Sequence, residues 1–335
     1  MPRKIDWNNQ IGRRLQLRDL HVLATVAKLG SMAKAAVELG VATPTVSEII
    51  ADLEHAVGVR LLERSPFGVE PTSSGTALLK RTHIVFDELK QGIKDIEYLA
   101  DPTLGEVQIA CTAAAMTFIP QVIQRFAQQY PRTTVYQDDV TVSAAQLLAL
   151  RQRRYDFTLT RLDRSLTTEG DDLSFETLFD DRMVLAAGLH TPWARRRKID
   201  LAELVQEPWI LSAPDTWNHA IVMEAFQARG LPVPRASVVT LSTLVRGHLL
   251  ANGPYIASIA QSSLRLHTDR HAIKELPVDL PDRTTPIGII TLKNRALNPV
   301  AERFIEHIRD FTRPMRGSQP LRRKPKRGAI DPRTT

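Results

Sequence analysis

The 335 residues are 43% hydrophobic and carry a formal charge of +7, enough chain to bury the cores of two domains. No apolar run is long enough to span a bilayer, and the two basic residues near the start, Arg3 and Lys4, are followed by no apolar stretch of the kind a signal peptide needs. The single cysteine, Cys111, excludes an internal disulfide and a cysteine-rich zinc site, so a cytoplasmic protein without metal or cofactor is the simplest expectation.

The charge is unevenly placed. Residues 313–335 hold eight basic residues against one acid, Asp331, and so carry the whole excess. Residues 1–75 hold nine basic and eight acidic residues. Any nucleic-acid contact by the N-terminal region therefore has to be argued from motif and not from bulk charge.

The first pattern is a helix from Arg13 to Leu29, with Leu15, Leu20, Leu23, Ala24, Val26 and Ala27 at helical spacing. Gly30 ends it and Ser31 caps a second helix that runs to Leu39. Gly40 lies in a tight turn. Thr43 is a good N-cap, and Pro44 follows at the first helical position, opening a third helix to Val57. Ala36, Leu39, Val46, Ile50 and Leu53 would fill a small three-helix core, leaving Thr43, Thr45, Ser47, Glu48 and Ala51 outside. That is the pattern of a helix-turn-helix whose second helix enters a DNA major groove. Thr45 and Ser47 are the favoured DNA contacts, Glu48 is suited to accept from cytosine N4, and Pro44 sets the helix start. The plainer alternatives are a Thr43 that only caps and a Glu48 that is only solvated. Val59 to Arg64 then alternates as a strand, Ser65-Pro66-Phe67-Gly68 turns, and Val69 to Thr72 returns. This is a wing, with Arg64 and Ser65 near its tip within reach of phosphate.

Thr76 to Ala100 reads as one long helix in which Leu78, Thr82, Val85, Leu89, Gly92, Ile96 and Leu99 form an a/d seam. A small DNA-binding unit needs a second copy for paired half-sites, so this helix is expected to dimerise the chain. Asp101 to Gly105 breaks it. Strand and helix patterns then alternate: strands at Val107–Cys111, Thr133–Gln137, Phe157–Thr160, Met183–Ala187, Trp209–Leu211, Ser237–Thr240, Tyr255–Ser258 and Ile287–Leu292, with helices between them and a last helix from Pro299 to Phe311. The alternation argues for parallel sheets with helices on both faces, in two α/β lobes around a cleft. The expected organisation is α plus α/β: a winged helix-turn-helix at 1–75, a linker helix at 76–102, a two-lobed α/β domain at 103–312 and a basic, disordered tail at 313–335.

In open α/β sheets ligands sit at the carboxyl ends of strands and at helix N-termini. Those places are Thr112 and Ala113, Thr160 and Arg161, Ser212 to Asn218 with Trp217 among them, and Ser242-Thr243. Arg161 is suited to pair with a carboxylate, and as readily a surface arginine. Ser212 and Ser242 serve equally well as caps, Trp217 as core, and Cys111 as a buried small hydrophobe. The nine histidines form no metal-ligand spacing, and the chain has no nucleophile elbow, P-loop or dinucleotide fingerprint.

The ordered set Leu20, Gly30-Ser31-Met32, Ala35-Ala36, Leu39-Gly40-Val41, Pro44-Thr45-Val46-Ser47, Ile50, Leu53-Glu54, Val57-Gly58, Leu61-Leu62-Glu63-Arg64, Pro71-Thr72 and Gly75 resembles the LysR-type transcriptional regulators. Gly105-Glu106-Val107, Pro120, Phe126, Tyr130-Pro131 and Tyr155-Asp156-Phe157 extend the likeness into a region similar to type 2 periplasmic binding proteins. The N-terminal residues also resemble members related to galactose-binding-protein regulators. The resemblance implies a homotetramer, often a dimer of dimers, on double-stranded promoter DNA, switched by a small effector: an organic acid, an aromatic or a sugar-like molecule. Glu48 departs from the Arg or Lys often found there, and the tail is longer and more basic than the family pattern. A solute-binding protein and an enzyme built on the lobes are the rival readings.

Overall fold

The computed structural model describes residues 15–65, 68–140, 143–162, 171–214, 216–266, 272–278, 280–281 and 284–316. The start of the first expected helix, the wing tip at Pro66 and Phe67, and the tail beyond Arg316 lie outside them. The chain divides into two compact units, Met1–Lys94 and Asp95–Thr335.

The first unit holds α1 (Leu17–Leu29), α2 (Met32–Leu39), α3 (Thr43–Val57), the hairpin β1 (Leu62–Ser65) and β2 (Gly68–Pro71), and most of α4 (Ser73–Ala100). Leu23, Val26, Ala35, Ala36, Val46, Ile50, Leu53 and Leu61 make its core, each of them almost fully removed from water. Ser31 caps α2 by accepting the Lys34 N–H. Gly40 takes the left-handed conformation (φ 67°) that a side chain would resist, and its N–H and that of Val41 satisfy the open carbonyls of α2. Thr43, however, does not cap α3. The residue in the cap position is Ala42, whose carbonyl accepts the Val46 N–H, and no side chain closes that end. Thr43 is already helical and Pro44 is the second helical residue, where its missing N–H is still harmless.

The wing is tied to α3 by Glu54, whose Oε1 accepts the N–H groups of Leu61 (2.7 Å) and Leu62 (3.0 Å). Thr72 then anchors the start of α4: its N–H bonds the Leu61 carbonyl and its hydroxyl receives the Gly75 N–H. A Cβ on Gly75 would sit 2.0 Å from the Leu61 oxygen, so only glycine lets the helix approach this closely. The long helix begins three residues before the expected Thr76, at Ser73.

The second unit is a nine-stranded mixed sheet flanked by helices. Its strands are β3 (Gly105–Cys111), β4 (Thr133–Asp139), β5 (Phe157–Arg161), β6 (Leu173–Gly188), β7 (Trp209–Leu211), β8 (Ala236–Val239), β9 (Ile256–Ala260), β10 (Ile273–Glu275) and β11 (Thr284–Leu292). Its helices are α5 (Ile119–Gln129), α6 (Ser143–Arg151), α7 (Trp217–Gln227), α8 (Thr243–Asn252), α9 (Gln261–Leu266) and α10 (Pro299–Thr312). The order is β4-β3-β5-β11-β6-β9-β7-β8, with β10 added on β6. The all-parallel expectation holds only within the two ends: β3 is parallel to β4 and β5, and β7 to β8 and β9. Between them β11 runs antiparallel to β5 and β6, and β6 antiparallel to β9. The reason is that β6 and β11 connect the lobes. Residues 173–182 of β6 pair with β11, and residues 183–187 pair with β9. One strand thus belongs to both lobes.

Each lobe is packed on both sheet faces. In the first, Phe118, Ile119, Val122 and Phe126 meet Phe304, Ile305 and Ile308 of α10 on one face, and Leu147 and Leu150 of α6 cover the other. In the second, Trp209 packs on Phe226 and Val222 of α7, while Leu250 of α8 covers Ile210 and Ala257. Cys111 is fully buried in β3; desolvation, with Asp139 adding to it, pushes its thiol pKa far up, so it behaves as a small hydrophobe. Asp156 is the centre of a buried polar cluster, accepting the Gln108 N–H at 2.8 Å and lying 3.5 Å from Arg295.

Candidate DNA-reading surface and effector cleft

The core-facing residues of α3 fix what its other side presents. With Val46, Ile49, Ile50 and Leu53 turned inward, Thr43, Pro44, Thr45 and Glu48 are exposed and Ser47 is half-buried beside them. The five form the first turn and a half of α3, the part of a recognition helix that meets base edges. Because Ala42 occupies the cap position, the Thr43 hydroxyl has no capping duty. Arg64 and Ser65 are exposed at the end of β1, and Ser65 donates from its hydroxyl to the Gly68 carbonyl across the wing turn at 3.3 Å. Three exposed hydroxyls (Thr43, Thr45 and Ser65), a carboxylate and a guanidinium thus face water from elements that buried apolar side chains hold in place. This arrangement suits hydrogen bonding in a groove and ion pairing with phosphate.

The long helix α4 exposes a row of apolar residues: Val85, Leu89, Ile93, Ile96 and Leu99, with Ile96 68% and Leu99 80% exposed. Of the expected seam, Thr82 is buried and its hydroxyl turns back to the Leu78 carbonyl, while Leu78 is half-buried.

In the second unit the expected ligand residues cluster where the two lobes meet. Thr112 follows β3 and donates from its hydroxyl to that of Thr160 on β5, at 3.2 Å. Its N–H bonds the Leu159 carbonyl, and neighbouring Ala113 is exposed. Arg161 ends β5 and reaches across to the second lobe, its guanidinium carbon 4.2 Å from the centre of the Trp217 ring at the start of α7. Ser212 follows β7 and is buried; His219 Nδ1 lies 3.0 Å from its carbonyl oxygen, a pairing that places the proton on Nδ1. Ser242 caps α8 by accepting the Val245 N–H and is otherwise exposed. Thr112 thus meets Thr160 within the first lobe and Arg161 meets Trp217 across the lobes, while Ser212 lies buried beside His219 of α7 and Ser242 performs the cap role that the sequence equally allowed.

Three features of this region were not singled out from the sequence. Arg246 on α8 is buried behind Ser212 and donates through Nη2 to the Ser212 hydroxyl (2.9 Å) and the Thr240 carbonyl (2.8 Å). The readable signal was its place four residues before Leu250, on the buried side of the helix. Asp181, where β6 passes between lobes, accepts from the Ser262 hydroxyl (2.6 Å) and N–H (3.2 Å), and Ser262 lies 3.3 Å from the Thr117 hydroxyl of the first lobe. A separate recess of about 250 Å³ in the first lobe is lined by Gln108, Tyr136, Asp138, Arg154 and Tyr155. Burial and a bond to Asp138 push the Tyr155 phenol pKa up there, yet the recess lacks the convergent strand ends of the cleft and none of the expected residues lines it. Among the described residues no group of histidine, cysteine or carboxylate side chains is placed to hold a metal ion. None of the described helices is long and apolar enough to cross a membrane.

Comparison with known proteins finds a match for each half of the chain. The family described as bacterial regulatory helix-turn-helix protein, lysR family, matches residues 17–76, and the LysR substrate binding domain matches residues 100–313. The chain is 24% identical over 312 residues to the HTH-type transcriptional regulator GbpR of Azospirillum brasilense, covering 92% of this chain and 90% of that protein. Among solved structures, a full-length OxyR from Pseudomonas aeruginosa superposes with a TM-score of 0.60 at 21% identity, covering 91% of this chain and 99% of that one. Full-length CbnR complexed with its target DNA gives 0.56 at 21%, covering 89% and 100%. The chain belongs to the LysR family of transcriptional regulators, DNA-binding proteins that join a helix-turn-helix to an effector-binding domain.

Proposed function

We propose that the chain regulates transcription by reading operator DNA with Thr43, Pro44, Thr45, Ser47 and Glu48, and by clamping phosphates with Arg64 and Ser65. The observation that carries this is the exposed first turn of α3, with the hydroxyls of Thr43 and Thr45 and the carboxylate of Glu48, held on a buried apolar core. The apolar row on α4 pairs two copies, and two such pairs form a tetramer. The effector, an organic acid, an aromatic or a sugar-like molecule, binds between the lobes against Thr112, Ala113, Thr160, Arg161, Ser212, Trp217 and Ser242. Binding favours one angle between the lobes and so shifts the population of DNA-competent assemblies. The reading assigns the protein no catalytic step and no cofactor, and it implies a cytoplasmic location, with the chromosome. We propose the same division as before: DNA-binding residues 1–75, linker helix 76–102, effector domain 103–312 and a basic tail.

The test is retardation of DNA from upstream of the protein's own operon, at low salt, with and without a metabolite extract. Retardation that competitor DNA of unrelated sequence fails to abolish supports the reading. Absence of retardation under every condition overturns it.

A further inference from the structure

The recess of about 250 Å³ in the first lobe lies apart from the cleft and has a consistent construction. Gln108 of β3 and Tyr136 of β4 are register partners, and Asp138 stands two residues beyond Tyr136, so all three side chains leave the same face of the sheet. On that face α6 packs over Ala110, the register partner of Asp138. The chain leaves α6 through Arg153, at φ 60°, with the Arg153 N–H on the Leu150 carbonyl and the Arg154 N–H on the Ala149 carbonyl. Such a closing turn ordinarily takes glycine at the left-handed position. Here it delivers Arg154 and Tyr155 to the wall of the recess.

The groups so assembled are opposite in charge and not spent on one another. The Tyr155 hydroxyl donates to Oδ2 of Asp138 at 2.8 Å and leaves Oδ1 without a hydrogen bond among the described residues. The guanidinium carbon of Arg154 lies 6.0 Å from the centre of the Tyr155 ring, and its N–H groups donate to no described residue. Asp138 and Arg154 line one recess without forming an ion pair. The Gln108 carboxamide and the Tyr136 hydroxyl are likewise unengaged among the described residues, and Tyr136 is 53% exposed on the edge strand β4.

We propose that this recess is a second small-molecule site, separate from the cleft, and that it takes an aromatic amino acid as the zwitterion. A guanidinium receives a carboxylate through two parallel bonds, which assigns the carboxylate to Arg154. Oδ1 of Asp138 accepts the ammonium, while the bond from Tyr155 keeps that carboxylate oriented. The rings of Tyr136 and Tyr155 supply faces and edges for an aromatic side chain. The volume lies just below that of sites for drug-sized ligands, which is the scale of one amino acid.

Calorimetric titration of the full-length protein at about pH 7, where both charges are present, tests this. The probes are L-phenylalanine, L-tyrosine and L-tryptophan, each beside its analogue without the ammonium and its analogue without the carboxylate (for phenylalanine, 3-phenylpropionate and 2-phenylethylamine). Wild type is expected to bind at least one of the three saturably, about tenfold or more tighter than either of its analogues. In R154M that affinity should fall about tenfold or more, and the preference over the amine should vanish. D138N retains an acceptor for Tyr155 and should lose the preference over the acid. Both positions are exposed, and an unchanged circular dichroism spectrum checks that each variant is folded. No saturable binding of any of the three by wild type overturns the assignment. So does an analogue that binds as tightly as its amino acid, or an R154M that binds as wild type does, since the ligand would then sit elsewhere.

Discussion

Glu54 offers a sharp test of how the DNA-reading unit is held together. Its carboxylate receives two backbone N–H groups, from Leu61 and Leu62, at 2.7 and 3.0 Å, and both residues are buried. A charge-assisted bond of this kind contributes roughly 1.5–3 kcal/mol, and removing the acceptor strands both donors. Glu54 itself is half-exposed, so water recovers part of the loss. The net for Glu54→Ala is about 2–3 kcal/mol against local opening of the wing, offset by only a few tenths from the better helix propensity of alanine. At 1.4 kcal/mol per tenfold, amide hydrogen exchange at Leu61 and Leu62 should speed up by roughly 30- to 150-fold. Glu54→Gln keeps a neutral acceptor and should lose about half as much. The readout is site-resolved exchange in the full chain, with operator retardation alongside, since a loosened β1 no longer presents Arg64 in register. Exchange at both amides within about twofold of wild type in E54A would refute the argument that this carboxylate holds the wing.

Three further outcomes are expected. Thr45→Ala and Ser47→Ala should each weaken operator binding by about 1–3 kcal/mol in retardation assays while leaving the circular dichroism and thermal midpoint unchanged; wild-type affinity in both would place the reading face elsewhere. Leu89→Lys and Ile96→Lys put a charge into the exposed apolar row of α4, so sedimentation should show a smaller assembly than wild type, and an unchanged one would remove α4 from the interface. Glu176 is held below its ordinary carboxylate pKa, first by hydrogen bonds from Arg309 and then by the charges of Arg309 and Arg316, with burial opposing. A carboxylate lowered in the fold contributes stability above the ordinary carboxylate range that is lost as pH falls through that range. The wild type should therefore lose more thermal stability than Arg309→Gln on acidification from pH 6 toward about pH 3, the pair being too exposed for a large effect. Parallel acid profiles for the two proteins would contradict it.

Elements made by local rules were legible in the residues. Caps and glycines placed α2 and α3 to within a residue, and an apolar run marked β7 at Trp209–Leu211. What one segment's pattern does not carry is the direction of its neighbour. Nothing in Ile287–Leu292 announces that it runs antiparallel to β5 and β6, because both orientations bury the same side chains. Only Met183–Ala187 of β6 reads as a strand; Leu173–Arg182 is half polar, its regularity broken where Leu178 bulges opposite Ile287 and Gly288. In the cleft, strand ends pointed to Thr112, Thr160 and Arg161, whose grouping needs only sheet geometry. Arg246 escaped notice because a charged residue in a short helix reads as solvated unless its phase against Leu250 is counted. The cap misassigned to Thr43 shows the same limit: residue type favours a threonine, and the turn at Gly40 decides which residue stands there.

The continuity of β6 has a mechanical consequence. Residues 173–182 are committed to β11 and residues 183–187 to β9, so one continuous hydrogen-bonded ribbon runs through both lobes. A ribbon of this kind resists stretching and shear but yields to torsion, because twist is the soft mode of a β-strand. Relative motion of the lobes is therefore channelled into rotation about the ribbon axis, through angles small enough to leave both ladders intact. The Asp181 carboxylate accepts two hydrogen bonds from Ser262 beside that axis, and any such rotation has to accommodate them. A message sent along such an element is an angle rather than a displacement, and its amplitude is set by how much twist the two ladders tolerate.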